Sequence, residues 1–469
     1  MKKILLTTIM LLTTATVGAQ QKAVYLDETK PIEERVEDAL ARMTLDEKIA
    51  VIHAQSKFSS PGVKRLGLPD FWTDDGPHGV RPDVLWDQWE QAGQTNDSCV
   101  AFPALTCLAA TWNPQMARLY GVSLGEEARY RGKDMILGPG VNINRTPLNG
   151  RNFESYARGY VGDTIQSFNG VTVGRSIAEK RSAEELRAEA VEKARKADVV
   201  IVFGGLNKSN YQDCESHDRK SYELPYGQNE LVEALAAVNK NVIFVNISGN
   251  AVALPWKDKV AAIIQGWYIG SEAGNALADV ITGKVNPSGK LPFTWYTRLE
   301  DCAAHALNTY PGEWHDGMLE EEYKEGVYVG YRWTDKQKKR PTYAFGYGMS
   351  YTTFKISDVK ADSKTIADDK PITVTATVTN TDKVAGAETV QLYIHDVKSS
   401  IDRPVKELKG FQKVFLEPGE SKTVSITVDV NALKFYDESI SDWRAEKGDF
   451  EALVGNASDN ITAKVKFSY

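Results

Sequence analysis

The sequence predicts an α/β protein followed by an all-β region, and three observations carry that reading. Short apolar runs, Val199–Phe203, Val242–Ile247 and Ala261–Trp267, alternate with segments of helical periodicity, the pattern of βαβ units built on a mostly parallel sheet. Beyond about Phe354 the period falls to two, as in Ile372–Thr379, Val390–Ile394 and Val424–Val430, with turns at Glu417-Pro-Gly-Glu and Gly455-Asn-Ala-Ser, which describes a β-sandwich. A chain of 469 residues is also too long for one core and divides into several domains.

Composition narrows the function classes. With 42% hydrophobic and 25% charged residues the chain is an ordinary globular protein. A net charge of −7, and no basic run longer than Lys336–Arg340, argue against nucleic acid as a partner. Lys2 and Lys3 precede the apolar run Ile4–Val17, and the small residues Val17 and Ala19 stand where a signal peptidase reads, so residues 1–19 are expected to be a signal peptide and the protein to be exported, periplasmic or secreted. No segment reaches the ~18 apolar residues a membrane helix needs, so no membrane span is expected. The four cysteines show no metal-like spacing. Cys99 and Cys107 form the one local pair that could be a disulfide. No metal or other cofactor is implied.

In chain order, Ile32–Met43 and Leu45–Ala54 place apolar residues at helical spacing, and Thr44 can cap the second helix. Asp70–Asp74 reads as a strand running into Asp75-Gly-Pro-His-Gly-Val-Arg81, a turn that displays acidic and basic side chains at a strand end. Asn113-Pro114 opens a helix with Met116, Tyr120, Leu124 and Ala128 on one face. The strand Met135–Leu137 leads through a glycine-punctuated loop to Gly150-Arg-Asn-Phe-Glu154. Ser182-Ala-Glu-Glu185 is a capping box, and its helix feeds the run Val199–Phe203, which suits a strand buried on both faces. That run breaks at Gly204 and Gly205 into a loop carrying Glu215, His217, Asp218 and Arg219, at the carboxyl edge where α/β sheets gather ligands. A dinucleotide fold is disfavoured because no GxGxxG joins strand to helix.

These residues together resemble glycoside hydrolase family 3, the β-glucosidase and β-xylosidase family: Asp-Gly-Pro-His-Gly-Val-Arg after one strand, Gly-Arg-Asn-Phe-Glu after another, Glu-Ser-His-Asp-Arg in the sheet loop, and Phe345-Gly-Tyr-Gly-Met-Ser-Tyr351 before a terminal β-sandwich. The motifs occur in the family's order over nearly the whole chain. The resemblance implies a (β/α)8 TIM barrel, an α/β sandwich domain and a C-terminal fibronectin type III-like β-sandwich, here placed at residues 20–157, 158–350 and 351–469. It implies Glu215 as general acid/base, Asp75 and Arg151 as binders of sugar hydroxyls, Asp218 and Arg219 as a charge pair supporting the loop, and a β-linked oligosaccharide or glucoside as substrate. A carboxylate accepts two hydroxyl hydrogen bonds and a guanidinium donates in a fixed fork, which suits both binding roles. Arg81, Arg145 and His217 are expected to be structural.

The chain departs from the family at the nucleophile. A retaining mechanism needs a second carboxylate ~5.5 Å from the first, supplied in the family by an Asp in a Ser-Asp-Trp-like motif on a later barrel strand. Residues 20–157 are little more than half of the ~250 a closed barrel requires, so most of the barrel is expected to be missing, leaving an open edge and an uncovered sandwich face. The one Ser-Asp-Trp, Ser441-Asp442-Trp443, falls in the β region, where Trp443 is expected to pack the sandwich. Glu154 and Asp163 also lie near the seam, with nothing in their surroundings to recommend either. The expected function is therefore a β-glucosidase by descent, impaired or inactive. A β-xylosidase of the same family and a non-catalytic carbohydrate-binding or interaction remnant are the alternatives.

Overall fold

The computed structural model describes residues 23–93, 99–140, 142–152, 181–208, 211–215 and 217–469. The signal segment, Glu154 and Asp163 lie outside the described residues. Two compact units emerge, one of the described residues up to Thr73 together with Val84–Trp89, the other of Asp74–Asp83 together with Glu90–Tyr469.

The first unit opens with α1 (Ile32–Arg42) and α2 (Leu45–Val51). The expected cap is present: the Thr44 hydroxyl accepts from the Glu47 amide at 3.2 Å while the Glu47 carboxylate accepts from the Thr44 amide at 2.9 Å. Arg65 also donates to Glu47 through two nitrogens, and this guanidinium, with the Thr44 amide, holds the Glu47 carboxyl down to about 2. The apolar residues at helical spacing, Ile32, Val36, Leu40, Leu45, Ile49 and Ile52, are nevertheless exposed. Strand β1 (Ser59–Ser60) pairs antiparallel with β2 (Phe71–Asp75). The helices thus have amphipathic sequences without a core of matching size inside the unit.

The second unit continues with α3 (Leu105–Ala110), α4 (Pro114–Tyr130), β3 (Met135–Leu137), α5 (Ala183–Ala194), β4 (Val200–Gly205), α6 (Gln228–Ala236), β5 (Val242–Ile247), β6 (Ala262–Gln265) and α7 (Ala273–Ile281). Asn113 caps α4 by accepting from the amides of Gln115 and Met116, and Ser182 with Glu185 forms the capping box of α5. Strands β4, β5 and β6 make a parallel sheet in that order. Beside it lies a core that includes Val232, Phe244, Trp256, Trp267, Phe293 and Trp295, with Phe244 edge-on to Trp256 at 4.6 Å between ring centroids.

The expectation that Val199–Phe203 is buried on both faces is not met. Val200 and Val202 pack toward α5 and α6, whereas Val199, Ile201 and Phe203 are exposed by 49%, 42% and 60%. Strand β4 ends the described sheet, and of its apolar residues Val200 and Val202 are the ones that pack against a core. The sequence therefore carries burial signals at Val199, Ile201 and Phe203 that are only half used among the described residues.

Past the sheet come α8 (Ala303–Ala306), a hairpin of β7 (Glu313–His315) and β8 (Met318–Glu320), and α9 (Tyr331–Gln337). The terminal domain follows as β9 (Phe354–Ala361), β10 (Ile372–Asn380), β11 (Gly386–Asp396), β12 (Glu407–Leu416), β13 (Ser421–Val428), β14 (Phe435–Asp437), β15 (Asp442–Arg444), β16 (Asp449–Ala457) and β17 (Asn460–Ser468). Two antiparallel sheets, β13-β10-β9 and β12-β11-β16-β17, enclose one core in which Ile372, Val374, Ala376 and Val378 alternate with outward residues. Ser441-Asp442-Trp443 lies at β15, on a side hairpin with β14. Trp443 does not pack the sandwich, contrary to expectation. It is 61% exposed and meets only the Tyr436 ring, edge-on at 5.8 Å.

The seam between the α/β and β-sandwich parts explains the Phe-Gly-Tyr-Gly motif. Trp112, Phe345, Tyr331 and Tyr393 form a continuous series of ring contacts across it, and Lys290 pairs with Glu388 at 2.7 Å, both buried. Gly346 has φ +80°, and a Cβ there would meet the Gln391 amide at 2.2 Å. Gln391 cannot yield, because it is fully buried and bonded to the carbonyls of Gly346 and Asn456.

At the carboxyl end of β2, Asp74 is buried, 3.7 Å from Lys133, whose ammonium also binds Asp83. Its Oδ2 has no hydrogen-bond partner, and burial pushes the carboxyl up to about 7 against the attraction of Lys133.

Gly346→Ala is expected to cost about 3 kcal/mol of stability, from strained φ plus overpacking against Gln391. Gly419→Ala, where φ is +73° and space is open, is expected to cost only about 1 kcal/mol. Urea midpoints of the two variants check this, and equal losses would refute the packing argument. A second expectation concerns Asp74. Folding raises its pKa above the ordinary value, so the folded state keeps a proton that the unfolded chain releases between about pH 4 and 7, and stability falls as pH rises through that window. Asp74→Asn should add on the order of 2 kcal/mol at pH 8 and nothing at pH 4. The same gain at both pH values would show that the carboxyl does not titrate there.

Candidate active site

The loop after β4 is held from below by Arg219. This guanidinium is almost fully buried and donates to the carbonyls of Pro147 (3.1 Å), Ala251 (2.8 Å) and Tyr222 (3.1 Å), while the Arg219 amide donates to Leu148 O at 2.7 Å. Burial opposes the charge, and the nearby Asp213 carboxylate favours it. Asp213 is itself fully buried, with Oδ2 accepting from the Gly249 amide (2.8 Å) and the Tyr268 hydroxyl (2.9 Å), and burial pushes its pKa upward. One cation thereby joins the 145–152 loop, the 213–222 loop and the segment after β5.

Asp218 fixes the loop from the other side. Its Oδ1 accepts from the Gly150 amide at 2.9 Å and its Oδ2 from the Tyr310 hydroxyl. Burial and the adjacent carboxylate push the Tyr310 phenol up, so it stays protonated as a donor. Asp218 and Arg219 therefore both support the loop, through separate partners rather than as the expected charge pair. Gly150 is a residue that only glycine satisfies: a Cβ would lie 2.3 Å from Cys214 O and 2.5 Å from His217 O. His217 packs edge-on against Tyr211 at 4.9 Å, as a structural residue does.

These anchors bring two predicted site residues together. Arg151 Nη1 stands 3.8 Å from Glu215 Oε1, although the two are far apart in sequence. The Glu215 side chain is 36% exposed and that of Arg151 51%, so both are open to an incoming ligand. Asp75, at the end of β2, accepts from Arg81 at 3.0 Å, and Arg81 is buried, which matches its expected structural role. Arg145 is likewise buried and structural. It binds Glu325 (2.5 Å), Glu321 (2.7 Å), Thr309 Oγ1 (2.9 Å) and Glu322 O (2.6 Å), and lies 4.1 Å from the centre of the Tyr323 ring. His78, from the Asp-Gly-Pro-His motif, accepts from the Leu105 amide at 3.0 Å, and burial lowers it to about 3, so it is a neutral structural acceptor.

The chemistry available is that of one exposed carboxyl beside a guanidinium. Glu215 can donate or accept a proton at an exposed rim, and carboxylate and guanidinium groups able to bind hydroxyls stand at Asp75 and Arg151. The Ser-Asp-Trp aspartate, Asp442, lies on β15 of the terminal domain, with its Oδ1 taking the Trp443 amide at 2.7 Å. Among the described residues no group of His, Cys, Asp and Glu is arranged to hold a metal ion. None of the four cysteines is in a disulfide, so the expected Cys99–Cys107 bridge is not formed. The supporting residues that sequence reasoning missed are Tyr310, Asp213 and Asp74. The Asp74-Asp75 doublet was the one local signal; the other two contacts join segments too distant for any spacing rule.

Comparison with known proteins identifies the domains. The glycosyl hydrolase family 3 C-terminal domain matches residues 47–351 and a fibronectin type III-like domain matches residues 388–458. A β-glucosidase of Bacteroides ovatus is 35% identical over 720 residues, with 96% of each chain covered. This chain has 469 residues, so a long segment of that relative has no counterpart here. The thermostable β-glucosidase B of Acetivibrio thermocellus is 46% identical over 281 residues, which is 60% of this chain but 36% of that relative. A crystal structure of a Bifidobacterium adolescentis GH3 β-glucosidase superposes with a TM-score of 0.78 at 25% identity, covering 92% of this chain and 95% of that one. The β-glucosidase of Kluyveromyces marxianus in complex with glucose gives 0.56 at 39% identity over 62% of this chain and 33% of that one. With the family's C-terminal domain matched over most of the chain and β-glucosidase relatives beside it, the chain belongs to glycoside hydrolase family 3.

Proposed function

We propose that this chain is an exported descendant of a β-glucosidase that retains a site for a terminal β-D-glucosyl residue and has lost retaining hydrolysis. The observation that carries the reading is the Arg151–Glu215 contact at 3.8 Å, held by Asp218, Gly150 and Arg219. A surface loop without a role would not need a buried cation and a glycine-only approach to fix one exposed carboxylate. Glu215 takes the part of acid/base, protonating the glycosidic oxygen and later activating water. Asp75 and Arg151 take the sugar hydroxyls. The step that fails is attack on the anomeric carbon, since the family's Ser-Asp-Trp aspartate has its only sequence match on β15. No cofactor enters this chemistry. The exposed apolar residues of α1, α2 and β4 support the loss of most of the barrel.

The test is release of p-nitrophenol from its β-glucoside and β-xyloside by the purified chain, with glucose and xylose binding followed by calorimetry. Binding with turnover far below the ~1 to 10³ s⁻¹ of ordinary enzymes is expected. Preference for xylose would reassign the sugar within the family. Turnover in the ordinary range, abolished by Glu215→Ala, would sink the claim that the missing segment inactivates the chain.

A further inference from the structure

The β7–β8 hairpin is an exposed element whose base is tied to both loops of the site. On its N-terminal side, Tyr310 donates to Asp218, three residues from Glu215. On its C-terminal side, Glu321, Tyr323 and Glu325 clasp Arg145, six residues before Arg151. Gly312 closes the base, with φ +94° and an approach to Glu320 O that leaves no room for a Cβ. A free two-stranded hairpin is marginal in water. This one is fixed by its flanks rather than by a core, since all six of its strand residues are exposed.

What the hairpin presents is an unused aromatic. Trp314 pairs across the hairpin with Leu319, so the two share a face, and they are 71% and 44% exposed. Among the described residues the Trp314 ring makes no hydrogen bond or ring contact, in contrast to Trp443, which rests on Tyr436. Four residues separate it from Tyr310, which limits the distance between their backbones to about 14 Å. Indole on a stiff support is a preorganised stacking surface of low entropic cost. The surrounding carboxylates, Glu313, Asp316, Glu320 and Glu322, set the sign of the local field against anionic ligands.

We infer that the β7–β8 hairpin, through Trp314 and Leu319, forms the aglycone-side wall of the site, binding the neutral aromatic or sugar group attached to the glucosyl residue. This rests on the proposed glucoside site and adds the residue that selects its aglycone. The sugar end is held at Asp75 and Arg151, and the hairpin face takes the apolar side of whatever follows the glycosidic oxygen.

Calorimetric titration of the purified chain with glucose and with p-nitrophenyl β-D-glucoside tests it, using the wild type, Trp314→Ala and Trp314→Phe. The wild type should bind the glucoside more tightly than glucose. Trp314→Ala should weaken the glucoside about tenfold and leave glucose unchanged, with Trp314→Phe restoring most of the loss. Equal weakening of both ligands would mean that the hairpin only supports the loops, and no weakening of either would mean that Trp314 touches no ligand. Either result overturns the inference, as does a wild type that prefers glucose. A wild type that binds neither ligand overturns the glucoside site itself, and the inference with it.

Discussion

The candidate site depends on one buried guanidinium. Removing a charge from water costs several kcal/mol unless good hydrogen bonds replace the solvent. Arg219 meets that demand with three backbone carbonyls and the field of Asp213. Those carbonyls belong to Pro147, Ala251 and Tyr222, so the same bonds that make the charge tolerable also fix three segments relative to one another. Asp218 and Gly150 can then meet at 2.9 Å, and Arg151 comes to lie beside Glu215. An Arg is suited to this because its five donors form a rigid fork; a lysine would offer a point charge and leave carbonyls unsatisfied.

The second constraint is steric and lies at the seam with the β-sandwich. Gly346 approaches Gln391 so closely that any side chain there would separate the two parts. The aromatic rings of Trp112, Phe345, Tyr331 and Tyr393 fill the space beside them. The Phe-Gly-Tyr-Gly motif that helps mark the family in the sequence is thus a docking device, and the terminal domain contributes stiffness to the α/β part rather than chemistry.

Local structure was legible in the sequence wherever the determinant was local. The capping boxes at Thr44 and Ser182, the Asn-Pro start of α4, the three parallel strands and the period-two strands of the β-sandwich all stand where the residue patterns place them. The resemblance grouped Arg151 with Asp75 as a binder of sugar hydroxyls, and its proximity to Glu215 was not legible. Tyr310 with Asp218 and Arg145 with Glu325 were not legible, because each pair is separated by 92 or more residues. The two-sided burial of Val199–Phe203 and the packing of Trp443 were misjudged for one reason. An apolar side chain records that its position can be covered, not that a covering layer is present.

That distinction explains how the chain can keep half a catalytic site. The anchors of Glu215 all come from residues 145–310, within the unit that owns the parallel sheet and its aromatic core. None of them needs the later barrel strands on which the family carries its nucleophile. The helices α1 and α2, by contrast, expose their apolar faces. The loop that carries Glu215 is thus held by the packing and hydrogen bonds of its own unit, even though β4 leaves Val199, Ile201 and Phe203 half exposed.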